Sequence, residues 1–412
     1  MNSRAEQERA QRGGEPSRAA AAASRDAFVA PGATLGVLGG GQLGRMFVHA
    51  AQSMGYRTAV LDPDPASPAG LVAHEHIRAD YLDPVALARM AERCAALTTE
   101  FENVPAAALE TLARSRAVAP AAAAVAVCQD RLAEKAAFVR SGVACAPHAL
   151  VASRADVERV DAALLPGILK TARLGYDGKG QRTVDDRAAL AAAFAALGEV
   201  PCVLERRLAL AGEISVVVAR NAQGDVVHLP VHDNVHVGGI LAVTRVPARA
   251  HVGAAMQAEA VALAERLARS LDYVGVLCVE FFVVEGGALV ANEMAPRPHN
   301  SGHHSIDSCD VSQFELQVRT LANAPLVAPR QHSAGVMLNL LGDLWRKGVA
   351  PDWSRVLALP GAHLHLYGKD DARPGRKMGH LTVTAASADA AEATAAEAAR
   401  VLGVAPLATA TR

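Results

Sequence analysis

VLCVEFFVVEGGALVANEMA spans Val276–Ala295, and its reading decides the fold. Two β-rich runs flank Glu285-Gly286-Gly287-Ala288, the pattern of an antiparallel hairpin. A two-residue Gly286-Gly287 turn places Glu280 directly opposite Glu293; a four-residue loop keeps that pairing and a three-residue loop breaks it. Opposed Cβ atoms lie ~4.5–5.5 Å apart, and like charges there destabilise. At ~4 Å and an effective dielectric of about 20, the repulsion is about 4 kcal/mol. A shared proton or a cation relieves it. Two hard oxygen ligands with Asn292 beside them suit Mg²⁺, which in turn holds phosphates. The competing reading is an exposed hairpin with two water-facing glutamates. The apolar residues expected on that face, Phe282, Val284, Leu289 and Ala291, weigh against it.

The run that follows, Ala295-Pro296-Arg297-Pro298-His299-Asn300-Ser301-Gly302-His303-His304, sets Arg297, His299 and Asn300 beside Glu293. Arginine forks onto a carboxylate or phosphate, and the Asn and His add hydrogen bonds. Zinc held by His299, His303 and His304 is disfavoured, because no standard zinc spacing is present. Farther on, Lys369, Arg373, Arg376 and Lys377 gather four cations in nine positions. They form either a solvated basic turn or a seat for a phosphorylated substrate.

Upstream, Gly175-Tyr176-Asp177-Gly178-Lys179-Gly180-Gln181 joins two expected strands and is not a P-loop. Its glycines free backbone N–H groups to turn toward phosphate oxygens, with Lys170 at the end of the preceding strand. Taken singly, it reads as a flexible hairpin turn. Near the start, Gly39-Gly40-Gly41-Gln42-Leu43-Gly44 fits G-x-G-x-x-G between the strand Thr34–Gly39 and a helix Leu43–Met54. Asp62 closes the next strand, 18 residues after Gly44. This is the context of a dinucleotide fingerprint, or of a plain strand-to-helix turn in a doubly wound domain.

Strand and helix alternate up to about Cys128, which predicts a doubly wound α/β domain over 32–128. Asp130 reads as the N-cap of a helix Arg131–Ser141. A small α+β unit with the glycine loop is expected over 129–204, a strand-rich unit with the carboxylate hairpin over 205–330, and a final unit over 331–412. Residues 1–31 lack apolar periodicity and read as a disordered extension without a signal peptide.

The 412 residues carry 41 Lys+Arg against 42 Asp+Glu, a net charge of −1. That balance argues against nucleic acid or an anionic membrane surface as partner. Apolar runs such as Ala188–Leu197 stop short of the ~18 residues of a membrane span. The six cysteines show no close pairing, which fits a reducing, cytoplasmic setting.

The ordered set GGGQLGRM, EFENVP, DRxxxK, GYDGKGQ, EFF…NEMAPRPHNSGHHS and RPGRKMGH resembles the N5-carboxyaminoimidazole ribonucleotide synthetase family, ATP-grasp ligases of purine biosynthesis. The likeness runs from about Thr34 to the C-terminus, and the last two motifs are the specific ones. It implies an ATP-grasp fold, with an N-terminal preATP-grasp domain and a small C-terminal domain that completes the substrate site. It also implies that Gln42 and Leu43 of the first loop serve a ribonucleotide instead of NAD. By the same resemblance, ATP contacts fall on Arg131, Lys170, Gly175–Gln181, Glu205, Arg206, Arg207, Leu208, Glu213, His236, Asn292 and Glu293. Mg²⁺ falls on Glu280 and Glu293, bicarbonate on Arg297, His299 and Asn300, and the substrate end on Tyr176, Asp177, Lys369, Arg373, Arg376 and Lys377.

The implied reaction joins ATP, bicarbonate and 5-aminoimidazole ribonucleotide through carboxyphosphate, in a homodimer, with the glycine loop as a lid. Three alternatives stand beside it. One is a formate-dependent glycinamide ribonucleotide transformylase of the same superfamily, which would not carry the two specific motifs. Another is an NAD(P) oxidoreductase resting on the first glycine loop, which leaves the glutamate pair unexplained. The third is a nucleotide-binding protein without catalysis.

Overall fold

The computed structural model describes residues 27–175, 180–249, 251–345 and 351–404. The first unit runs β1 (Thr34–Leu38), α1 (Gln42–Ser53), β2 (Arg57–Leu61), β3 (Glu75–Ile77), α2 (Pro84–Arg93), β4 (Ala96–Thr99), α3 (Ala106–Ala113) and β5 (Ala117–Val118). Its strands form one parallel sheet in the order β3-β2-β1-β4-β5. Leu35, Val37 and Leu38 are buried between helices on both faces, as a doubly wound sheet requires. The chain order reverses between β1 and β4, so the loops after those two strands open into one crevice.

The chain before Pro31 is not wholly outside this unit. The Val29 N–H donates to the Ala322 carbonyl at 2.9 Å, and the Tyr56 hydroxyl donates to the Val29 carbonyl at 2.7 Å. The expected extension over 1–31 therefore ends at or before Phe28; residues 1–26 lie outside the described residues.

Two helices, α4 (Ala122–Cys128) and α5 (Arg131–Arg140), lead into the second unit. Asp130 caps α5 as expected, its carboxylate accepting from the Leu132 and Ala133 N–H groups. The second unit holds β6 (His148–Val151), α6 (Arg154–Arg159), β7 (Gly167–Thr171), β8 (Gln181–Val184), α7 (Arg187–Ala196) and β9 (Cys202–Arg206). Its four strands pair antiparallel in the order β6-β9-β7-β8, over a core that includes Val157, Leu190 and Phe194.

All later strands share one nine-stranded antiparallel sheet. They are β10 (Leu210–Arg220), β11 (Val226–His228), β12 (His232–Val237), β13 (Ile240–Val246), β14 (Gly275–Val284), β15 (Leu289–Ala295), β16 (Ala334–Leu341), β17 (Ala362–Leu366) and β18 (Lys377–Ala385). The sequence reading omitted β12 and β13, the strands that join the hairpin half to the late strands. Because β13 pairs with β16, the boundary expected at 330/331 falls within a continuous sheet. Between β13 and β14 the helix α8 (Ala254–Ser270) packs Ala260, Ala264 and Leu267 against one sheet face, on Val279 and Phe281. The helices α9 (Ser305–Ser308) and α10 (Gln313–Leu321) follow β15, with α11 (Trp353–Leu357) before β17 and α12 (Ala388–Leu402) after β18.

The hairpin reaches its register by another route than a Gly-Gly turn. Val284 and Ala288 close a three-residue loop, through hydrogen bonds from the Val284 N–H to Ala288 and from the Gly287 N–H to Val284. Phe281 pairs with Ala291, one step off the expected register. Asn292 is then an extra, bulged residue, after which Glu280 stands opposite Glu293. The two offsets cancel. The bulge also corrects the face assignment: Leu289 and Ala291 join Phe281 and Val283 in the helix-side core, while Glu280 and Phe282 face the other way.

Candidate active site

Between the three sheets lies a cleft of about 770 Å³. Its walls include Gln42 and Leu43 from α1, Arg131 from α5, Lys170 from β7, and Gly175 and Gln181 at the ends of the glycine loop. Glu213, His236, Glu280, Asn292, Glu293, Arg297, His299, Asn300 and Lys377 complete it from the large sheet and the run after β15. A second cavity of similar volume, lined by Cys145, His148 and Arg159, holds none of the expected site residues.

Charge in the cleft is paired. Glu280 Oε1 sits 2.8 Å from His299 Nε2, and Glu293 Oε2 sits 3.4 Å from an Arg131 guanidinium nitrogen. The two carboxylates thus face each other with a protein cation apiece, which offsets their repulsion. Burial works to raise the Glu280 pKa, but the charge and hydrogen bond of His299 outweigh it and hold it at about 2. Burial lowers the His299 pKa; neighbouring Cys278 and Glu280 overcome this and lift it to about 10. The other ring nitrogen, Nδ1, meets the Ser301 hydroxyl at 2.9 Å.

The bulge at Asn292 has a second effect. Freed from the strand ladder, the Asn292 carbonyl accepts from Lys135 Nζ at 2.8 Å. Lys135 is fully buried and also lies 3.3 Å from Glu205, whose other oxygen accepts from Lys170 Nζ at 3.0 Å. Burial alone would raise Glu205, but these two lysines bring it down to about 2. The Glu205 side chain therefore holds lysines and does not line the cleft. Arg206 and Arg207 are exposed, and their N–H groups are tied to the carbonyls of Pro147 and Pro166, which leaves Leu208 as the residue of that expected ATP segment whose N–H is not so tied.

The anion-binding run is clamped from both sides. Arg297 Nε donates to Glu102 Oε2 at 2.5 Å, an ion pair that crosses from the large sheet to the loop after β4. Burial would raise Glu102; the Arg297 charge overrides it and holds the carboxyl at about 2. Gln313, buried on α10, accepts from the His299 N–H and donates to the His299 carbonyl and to His303 Nδ1. His304 Nδ1 meets the Ser308 hydroxyl. His299, His303 and His304 are thus each engaged by a different partner. The side-chain amide of Asn300 is buried with neither atom hydrogen-bonded among the described residues, as is Asn292 Oδ1.

The first glycine loop is occupied by the protein itself. The Gly41 and Gly44 N–H groups at the start of α1 donate to the two oxygens of Glu100, at 2.8 and 3.0 Å. A Cβ on Gly39, where φ is +101°, or on Gly41 would collide with that side chain. Asp62 accepts from the Gly40 N–H at 2.7 Å and from the Tyr81 hydroxyl at 2.6 Å. The helix N-terminus that would seat a pyrophosphate already holds a carboxylate, and the acid that would hold a ribose braces the loop. This removes the dinucleotide reading.

Of the other expected residues, Tyr176, Asp177, Gly178 and Lys179 lie outside the described residues. Lys369 Nζ donates to the Lys377 carbonyl, Arg373 pairs with Asp371, and Arg376 donates to the Asp371 carbonyl. Only Lys377 of that cluster lines the cleft. Sequence reasoning missed Lys135, Glu134, Glu100, Glu102 and Gln313 as contributors. For Lys135 a signal was available: it lies one turn after Arg131, on the same face of α5.

Burial raises the Glu134 pKa to about 7, against the pull of Lys135. A folded pKa above the unfolded one means that the unfolded chain loses this proton first as pH rises. Glu134 should therefore destabilise the protein progressively between about pH 4.5 and about pH 7, by about 3 kcal/mol in all. Glu134→Gln removes the titration while keeping an acceptor for the Met294 N–H. Urea unfolding of both proteins on either side of this window should show the variant gaining on the wild type as pH rises. A constant difference across the window would rule the effect out.

Comparison with known proteins bears on the whole chain. The ribonucleotide synthetase preATP-grasp domain model matches residues 32–129, the ATP-grasp domain model residues 136–314, and the phosphoribosylaminoimidazole carboxylase C-terminal domain model residues 335–394. The chain is 46% identical to the N5-carboxyaminoimidazole ribonucleotide synthase of Brucella melitensis over 358 residues, covering 85% of this chain and 96% of that one. It superposes on the Staphylococcus aureus N5-carboxyaminoimidazole synthetase complexed with ADP with a TM-score of 0.84 at 36% identity, over 90% of this chain and 98% of that one. On the Aspergillus clavatus synthase in complex with ADP and 5-aminoimidazole ribonucleotide the TM-score is 0.82 at 31% identity, with the same coverage.

Proposed function

The chain belongs to the N5-carboxyaminoimidazole ribonucleotide synthase family, and from that premise we propose how the cleft between its sheets divides the reaction among named residues. It is an ATP-grasp enzyme of de novo purine biosynthesis that forms N5-carboxyaminoimidazole ribonucleotide. The proposal concerns the co-substrates, the metal and the residue roles.

ATP lies between the four-stranded and nine-stranded sheets. Lys170 and Arg131 hold its phosphates, Leu208 lies at the adenine edge, and Glu213 lies toward the ribose, its carboxylate 2.9 Å from His236 Nδ1. Glu280, Glu293 and Asn292 Oδ1 are an all-oxygen donor set suited to Mg²⁺, and the unpartnered Asn292 oxygen fits that use. Mg²⁺ bound there would neutralise charge on the transferring phosphoryl group. Arg297, oriented by Glu102, and Asn300, with its amide unspent, hold bicarbonate for attack on the γ-phosphate. His299 keeps Glu280 in place through one nitrogen and is itself fixed by Ser301 through the other.

The ribonucleotide occupies the end bounded by Gln42, Leu43 and Lys377, where its exocyclic amine meets carboxyphosphate or the CO₂ released from it. Enclosure by three sheets keeps that intermediate from water. The reading includes a homodimer and a cytoplasmic setting. All six cysteines are free thiols, which supports a reducing compartment; no helix of the described residues is long and apolar enough to cross a membrane.

The observation that carries the proposal is the convergence of Lys170, Glu280, Glu293, Arg297 and Lys377 from distant parts of the chain on one cleft. It is tested by ADP release with bicarbonate and 5-aminoimidazole ribonucleotide each omitted in turn. Full turnover should need both. Lys377→Ala should raise the KM for the ribonucleotide by roughly ten- to a hundred-fold, from a charge-assisted contact of about 1.5–3 kcal/mol. Arg376→Ala, whose guanidinium rests on Asp371, should have a smaller effect, and neither should move ATP affinity by more than about threefold. ATP affinity falling with Lys377→Ala would reverse the assignment of the two ends.

A further inference from the structure

We propose that Asp307, His365 and His380 form a second metal site, for a zinc-class transition ion, separate from the carboxylate pair in the cleft. His365 on β17 and His380 on β18 are directly opposed in the antiparallel ladder, and Asp307 reaches them from α9. One donor atom from each residue lies within 4.8 Å of the other two. Asp307 Oδ2 and His365 Nε2 are already 2.9 Å apart. Donors around tetrahedral zinc sit about 3.3 Å from one another, given metal–nitrogen bonds of ~2.0–2.1 Å. The His365 and His380 rings are stacked, with centroids 4.5 Å apart and planes 12° from parallel, so binding requires His365, whose side chain is 28% exposed, to rotate until its nitrogen and that of His380 converge.

The second observation is His380 itself. It is fully buried; Nδ1 meets the Tyr367 hydroxyl at 3.0 Å, and Nε2 has no hydrogen-bond partner among the described residues. An imidazole oriented through one nitrogen and open at the other is the arrangement of a metal ligand. His363 lies outside this group of three, its Nδ1 3.7 Å from the other Asp307 oxygen and its Nε2 3.0 Å from the Thr384 hydroxyl. Two imidazoles and one carboxylate favour a zinc-class ion over Mg²⁺, which prefers an all-oxygen shell.

The ion would not enter the reaction. His303 lines the cleft, and its ring centroid is 4.9 Å from that of His380, so the site lies one ring behind the cleft wall. There it would tie α9, which continues the Arg297–His303 run, to the late strands β17 and β18.

The test uses the full-length, tag-free chain, stripped with chelator and kept in excess Mg²⁺ and ADP to fill the cleft. Co²⁺ is the probe, because its visible bands report imidazole and carboxylate ligation and an intense near-ultraviolet band reports thiolate. Uptake of one equivalent with ligand-field bands and no thiolate band is expected. His365→Asn and Asp307→Asn should each weaken that binding by about 10–100-fold, with unfolding midpoints measured alongside to show that both variants fold. Absence of uptake by the Mg²⁺-saturated protein, a thiolate band, or equal affinity in folded variants would each overturn the site and leave Asp307–His365 as a plain hydrogen bond. None of these readouts depends on turnover, so failure here is distinguishable from failure of the proposed reaction.

Discussion

Glu280→Gln and Glu293→Gln are each expected to lower ATP turnover by about 10²–10³-fold, because either change removes one anionic ligand where charge develops in phosphoryl transfer. Their stabilities should differ. The opposed pair alone suggests that removing one carboxylate relieves repulsion and raises the melting point of the metal-free protein. The tertiary structure predicts otherwise for Glu280, which is buried and holds the imidazolium of His299 at 2.8 Å. Its neutralisation leaves that cation without a charged partner and should cost about 1–3 kcal/mol. Glu293 is 44% exposed at its side chain and sits 3.4 Å from Arg131, so Glu293→Gln should change stability by less than about 1 kcal/mol. Steady-state ADP release with a Mg²⁺ titration, together with urea unfolding in chelator, reads both effects. Turnover within tenfold of wild type in both variants would remove the metal assignment. Equal stability losses would remove the distinction between the two carboxylates.

Arg297→Ala should produce the other large effect, in two measurements at once. Loss of the guanidinium where bicarbonate meets the γ-phosphate should reduce kcat by about 10²–10³-fold, including any bicarbonate-dependent ATP cleavage without ribonucleotide. It also removes the main counterion of Glu102, a half-buried carboxylate whose side chain is 26% exposed, which should cost about 1–3 kcal/mol. Two further variants separate the roles. Arg297→Ala combined with Glu102→Gln should recover most of the stability and none of the rate. Arg297→Lys keeps a charge near Glu102 but loses the fork, so its stability should lie near wild type while kcat stays low. If the double variant regained activity with its stability, Arg297 would be structural and the bicarbonate assignment would fall.

The local order of this chain is readable from its residues. Asp83 before Pro84 and Asp130 before Arg131 are caps whose carboxylates accept from the first helical N–H groups, and both helices begin where those signals stand. The short apolar runs Ala96–Thr99 and Gly167–Thr171, each bounded by turn residues or charge, are readable as strands and form them. The opposition of Glu280 and Glu293 was also readable, although the inferred turn was one residue too short and the bulge at Asn292 was invisible. Helix and strand periods, caps and motif spacing each act within about ten residues, and composition within one segment expresses them. Strands β12 and β13 were missed because His232, Asp233, Asn234 and Arg245 are buried polar residues, which break the apolar pattern that marks a strand.

The site itself came from packing. Glu100 closes the N-terminus of α1 across 56–59 residues, Glu102 meets Arg297 across 195, and Lys135 reaches the Asn292 carbonyl across 157. In sequence Glu100 and Glu102 are charged residues on a short loop, which resemble solvated surface, and only the spacing of Lys135 from Arg131 hinted at a shared face. They become ligands and counterions only when three sheets close over them and exclude water. The cost of burying each charge then makes the partners packed against it obligatory.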